Sequence, residues 1–216
     1  TFSDIEILEE IKEEGNLLQR VYFAVSAGEP AETLLRLGPK LDPEHMLTVR
    51  GIKLYADGAL GSRGAALLEK YEDQDTTGLL IFTKEETLPV LEEALKKGIQ
   101  IQTHAIGDKG NRITLDWYQE AFNSIVDEER KVNDPRRRIE HSQIITTEDQ
   151  IRFRDMEIIA SMQPSHAIGD LHFAPSRLGM QRVGNGYVWR NLIDLGVVVA
   201  GGSDAPVEIG DPRIEF

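Results

Sequence analysis

Residues 83–108 read TKEETLPVLEEALKKGIQIQTHAIGD, and this stretch decides the fold class. Thr83 followed by Glu86 forms a capping box, which opens a helix that runs to Lys97 and stops at Gly98. The pattern then changes period. Gln100, Gln102 and His104 fall on one face, and Ile99, Ile101 and Thr103 on the other, predicting a strand from Gly98 to His104. After the turn Ala-Ile-Gly-Asp a second helix is predicted from about Asp108 to Val126. Helix, strand and helix in immediate succession are the rhythm of a parallel α/β protein.

The rhythm extends in both directions. Upstream, residues 3–14 read as a helix with Ser3 as N-cap, 19–26 as a strand, 32–37 as a short helix and 48–57 as a second strand. A long loop rich in Gly, Asp and Thr covers 58–80, a length at which ordered loops are commonly functional. Downstream, strands are predicted at 137–142, 157–163 and 197–202, and helices near 147–154 and 187–195. A loop is expected to carry His166, Asp170 and His172. That makes six strands. A (β/α)8 barrel takes about 250 residues, so the count predicts a TIM-type barrel about two units short of closure. A doubly wound open sheet is the alternative, but no G-x-G-x-x-G follows the first strand.

The ionisable residues gather where such a fold builds its sites, at the carboxyl ends of the strands. In the 48–57 strand Lys53 lies opposite the aliphatic face and points into the barrel; it is either a solvated lysine or a carboxylated one able to bridge metals. His104 ends one strand and His141, in Glu140-His141-Ser142, ends the next. One such histidine alone is as readily a hydrogen-bonded core residue, but two on consecutive strands form a metal-ligand arrangement. The last strand delivers Asp204, in Gly202-Ser203-Asp204-Ala205-Pro206, which is either a turn residue or a carboxylate able to bind metal and take a proton. Gln163 and His166 are candidate substrate contacts, with a solvent-facing loop the alternative for the histidine; Asp57 and Arg63 are also candidates, Arg63 alternatively bracing its loop.

Composition narrows the partners. The 216 residues carry a net charge of −13, and the densest basic run, Arg136 to Arg138, is three long, which argues against nucleic acid. No apolar stretch is long enough to span a bilayer, so no membrane partner is expected. The absence of cysteine excludes thiolate metal sites and cysteine nucleophiles and fits a reducing compartment, with a cytoplasmic location expected.

Five segments together resemble the metal-dependent amidohydrolase superfamily, specifically its amidohydrolase-3, YtcJ-like branch, which includes N-substituted formamide deformylases. They are 51–64 (GIKLYADGALGSRG), 102–108 (QTHAIGD), 138–142 (RIEHS), 161–166 (SMQPSH) and 202–207 (GSDAPV). The resemblance implies barrel strands three to eight across 1–216, with strands one and two and a flanking β-sandwich outside the chain. It implies metal binding by His104, His141, Asp204 and Lys53, the lysine carboxylated in many members, and Asp204 as general base. The implied cofactor is Zn2+ or another divalent metal, one or two ions.

The family's first-strand H-x-H occurs nowhere here, since the five histidines stand at 45, 104, 141, 166 and 172. The expectation is therefore the central part of a hydrolase of C–N bonds in small amides or formamides, in which a metal-activated water attacks the carbonyl. The alternative is a non-catalytic or degenerate barrel fragment without a complete metal site. A phosphoesterase is a third reading, disfavoured by the few Arg and Lys near the motifs. Open sheet edges predict association, a homo-oligomer being one form of it.

Overall fold

Every strand of the sheet runs in the same direction, and each pairs with the next one in sequence. The computed structural model describes residues 1–215. The strands are β1 (Val21–Ser26), β2 (Leu47–Tyr55), β3 (Gln100–Ala105), β4 (Arg138–His141), β5 (Ile159–Met162) and β6 (Val199–Gly201), in spatial order β1-β2-β3-β4-β5-β6. Helices α1 (Phe2–Glu13), α2 (Glu29–Leu37), α3 (Lys84–Lys97), α4 (Asp108–Ser124) and α5 (Thr147–Asp155) alternate with them, followed by α6 (Pro164–Asp170), α7 (Ala174–Arg182), α8 (Trp189–Asp194) and α9 (Pro212–Glu215). A doubly wound sheet reverses its strand order at a switch point. This one does not, which removes that alternative. Among the described residues β1 and β6 do not pair, so the sheet is open.

Alternation within the strands divides the sheet into two chemically different faces. Ile52, Leu54, Ile101, Ile139 and Ala160 are buried in one core with Leu91, Leu95, Leu115, Tyr118, Phe153 and Leu192 from the helices. Each large side chain so buried contributes about 1.5–3 kcal/mol. The other face carries rows in register: Lys53 beside Gln102 beside Arg138, and one step further Tyr55 beside His104 beside Glu140 beside Ser161. Local signals fix the framework. The Thr83 amide donates to Glu86 Oε2 at 2.9 Å, the Glu86 amide to Thr83 Oγ1 at 3.3 Å, and Gly98 ends α3 at φ 70°, a left-handed turn natural to glycine. Tyr118 of α4 clasps two strands, its hydroxyl 2.7 Å from Thr103 Oγ1 and 2.9 Å from the Arg138 carbonyl.

The largest departure from the expected elements lies after β5. In place of a continuous loop, His166 and Asp170 lie in the short helix α6, and His172 lies in the turn that joins it to α7; each helix has proline in its first turn. Proline is pre-organised for that position. Neither helix shows a clean apolar stripe: α6 buries no residue, and α7 is broken at Gly179, φ 71°. The 58–80 segment contains no helix or strand, as expected, and an isolated bridge between Asp57 and Leu80 closes its base. No helix among the described residues is long and apolar enough to cross a membrane.

Candidate metal centre

His104 and His141 come together at the carboxyl ends of β3 and β4. Their ring centroids are 4.5 Å apart and the planes meet at 71°. His104 Nε2 lies 3.4 Å from the Gly58 carbonyl and 3.6 Å from Asp57 Oδ1. His141 is buried, and its Nδ1 lies 2.8 Å from Gln163 Oε1. The strand breaks sharply here. His141 and Ser142 take φ of 74° and 45°, a left-handed geometry costing a non-glycine residue roughly 1–2 kcal/mol. The Ser142 hydroxyl donates to the Ile139 carbonyl at 2.8 Å and holds the turn.

Both imidazoles are kept neutral. Burial brings His104 down to about 3, reinforced by His141 and the Lys53 ammonium. Burial brings His141 down to about 4, with Lys53 adding to it and the Gln163 hydrogen bond opposing. Neutral imidazoles with a free lone pair are the form that binds a divalent metal.

Lys53 lies on the same face, half-buried, its ammonium 5.2 Å from the Tyr55 ring centroid. Burial lowers its pKa, while Glu140 and Asp204 pull it up. Asp204 follows β6, exposed and at φ 55°, near enough for its charge to act on both Lys53 and His104. In kind these donors fit a divalent ion: two neutral imidazoles, a carboxylate and an amine open to carboxylation. Among the described residues, however, no three His, Asp or Glu side chains are grouped closely enough to enclose one.

The other candidates divide between bracing and lining. Asp57 is fully buried and accepts three backbone N–H groups, from Ile106 at 2.9 Å and from Ala66 and Gly107 at 2.8 Å each. Burial still outweighs these donors and pushes its carboxyl up to about 7. Asp57 therefore ties the 58–80 segment to the turn between β3 and α4, a role its sequence context did not reveal. Arg63 forks onto Asp73 with two 2.9 Å bonds, and Arg177 of α7 joins the same carboxylate. This is the arrangement of the bracing alternative for Arg63, with its guanidinium engaged by Asp73. His166 of α6 is 5.8 Å from the His141 ring at 26°, with its buried Nε2 3.7 Å from Glu208 Oε1. Glu208 and the Gly58 carbonyl went unnoticed in the sequence because neither stands in a patterned strand. His172 and His45 are exposed.

The chain belongs to the amidohydrolase family, whose sequence model matches residues 1–215. It is 35% identical over 164 residues to YtcJ of Bacillus subtilis, a protein named as an amidohydrolase, covering 76% of this chain and 30% of that protein. It is 36% identical over 163 residues to LONG AFTER FAR-RED 3 of Arabidopsis thaliana, covering 74% and 27% respectively. The chain thus spans less than a third of these curated relatives. Among solved structures it resembles an uncharacterised metal-dependent hydrolase of Pyrococcus furiosus, with a TM-score of 0.83 and 30% identity over 98% of this chain and 42% of that one. Its counterpart from Pyrococcus horikoshii gives 0.85 and 28%, covering 98% and 41%.

Proposed function

We propose that this chain is the central part, strands three to eight, of a (β/α)8-barrel metal-dependent hydrolase that cleaves C–N bonds in small amides or formamides. The observation that carries the reading is the pair of neutral imidazoles, 4.5 Å apart at the ends of adjacent parallel strands, in a member of the amidohydrolase family. The consecutive strand order is that of barrel staves, and strong likeness to two metal-dependent hydrolase structures supports it.

His104 and His141 would hold the metal, joined by Asp204 and by Lys53 in carboxylated form, with Zn2+ the leading candidate ion. A divalent ion there supplies Lewis-acid polarisation of the carbonyl and acidifies water. Asp204 takes the water proton at its carboxylate and returns it to the departing amine, a transfer that needs hydrogen-bond reach to both. Its exposed position after β6 leaves that carboxylate accessible to substrate. His166 stands beside His141 as the candidate substrate contact. The degenerate-barrel reading draws on the absence of a three-ligand cluster among the described residues. Assaying the full-length protein against an amide and formamide panel separates the two. Turnover that disappears in Asp204→Asn with folding intact supports the hydrolase, whereas undiminished turnover in that variant overturns it.

A further inference from the structure

The two histidines are held in different ways. His104 has its Nε2 at a long 3.4 Å from a backbone carbonyl, whereas His141 has its Nδ1 at 2.8 Å from a side chain, Gln163 Oε1. We propose that Gln163 is a positioning residue: its amide oxygen fixes His141 as the Nδ1–H tautomer and so frees the Nε2 lone pair for a metal ion. An amide oxygen can only accept, so the hydrogen bond places the single proton of a neutral imidazole on Nδ1. Nε2 is then the nitrogen left able to bind a cation, which is how an outer partner selects the ligating atom.

Gln163 is built to hold still. It is buried directly after β5, at the N-cap of α6, and Pro164 follows it. Its own carbonyl accepts from the His166 amide at 3.2 Å, and the preceding Met162 carbonyl accepts from the Gly202 amide at 3.1 Å. The strand end and the helix start therefore fix the backbone from which the amide reaches His141. The sequence reading made Gln163 a substrate contact; the geometry gives its oxygen to His141.

The part of this inference that concerns metal rests on the hydrolase reading, but the tautomer does not, and the experiment keeps them apart. Long-range 15N–1H correlation spectra of the histidine rings are recorded on the metal-free full-length protein, and Zn2+ affinity is measured by competition titration. Wild type and Gln163→Glu, which keeps an acceptor oxygen, are expected to hold His141 as Nδ1–H. Gln163→Ala and the similar-sized Gln163→Leu are expected to release it to a mixture and to bind Zn2+ about 10–100-fold more weakly, with Gln163→Glu restoring most of the affinity. A purely structural Gln163 would alter stability and leave the tautomer in place. Wild-type His141 protonated on Nε2, or an unchanged tautomer in either acceptor-less variant that folds, overturns the proposal. A wild type that binds no Zn2+ refutes the hydrolase reading, while the ring spectra still decide the role of Gln163.

Discussion

Replacing Tyr118 by Phe removes a single oxygen from the centre of the fold, at a position that is 1% exposed. A phenol has one proton, so Tyr118 donates it to the Arg138 carbonyl at 2.9 Å and the Thr103 hydroxyl supplies the 2.7 Å bond. The ring remains, so no cavity term enters. Two buried hydrogen bonds lost at roughly 1 kcal/mol each predict a destabilisation of about 2 kcal/mol, more if Thr103 stays unpaired. For a domain of this size that corresponds to a fall of about 4–8 °C in Tm. Burial holds the phenol protonated well above its ordinary range, so the loss should be the same at pH 6 and pH 9. Calorimetry on wild type, Tyr118→Phe, Thr103→Val and the double variant checks the magnitude, and the cycle should return a coupling of at least about 0.5 kcal/mol. A Tm within 1 °C of wild type, or strictly additive variants, would refute the clasp. Because Thr103 precedes His104 on β3 and Arg138 shares β4 with His141, a loosened clasp should also weaken metal binding.

Two other positions give independent checks. A Cβ on Gly107 would lie 1.9 Å from the Ala66 carbonyl oxygen, so Gly107→Ala must push the 58–80 segment off the β3–α4 turn; we expect a loss of about 3 kcal/mol, while Gly202→Ala, with nothing within 4 Å, should stay near neutral by urea denaturation. Asp42 accepts from Lys12 Nζ at 2.7 Å and from the Glu44, Met46 and Leu47 amides, and these bonds, that of Lys12 foremost, hold its carboxyl well below the usual range. A lowered folded-state pKa gives stability that is present above pH 4 and lost as pH falls through the folded value. The gap between wild type and Asp42→Asn should therefore be full at pH 7 and should close steadily below pH 4 in acid-denaturation curves.

Strand order and the placing of His104 and His141 were readable because they depend on short-range pattern. Two-residue alternation fixed the inner face of β2 and β3, and the capping box and Gly98 fixed the ends of α3. What stayed hidden depends on partners far apart in sequence. The amides of Ile106 and Gly107 that occupy Asp57 lie 49 and 50 residues away, and Arg177 is 104 residues from the Asp73 it shares with Arg63. Helices α6 and α7 were missed because periodicity is the main sequence signal for a helix, and these two are too short and too polar to show it. Pro164 and Pro175 were the available signs. Gln163 was recognised as part of the site, but a polar residue after a strand does not announce whether it meets substrate or a neighbouring histidine.

In the proposed hydrolase, His104 and His141 are two ligands of one divalent metal site. Isothermal titration of the metal-free full-length protein with Zn2+ decides this, using wild type, His104→Ala, His141→Ala and, as a control, the exposed His172→Ala. Wild type and His172→Ala should bind tightly, and each of the other two should lose about a hundredfold or more in affinity. Equal Zn2+ affinity in all four proteins would contradict it.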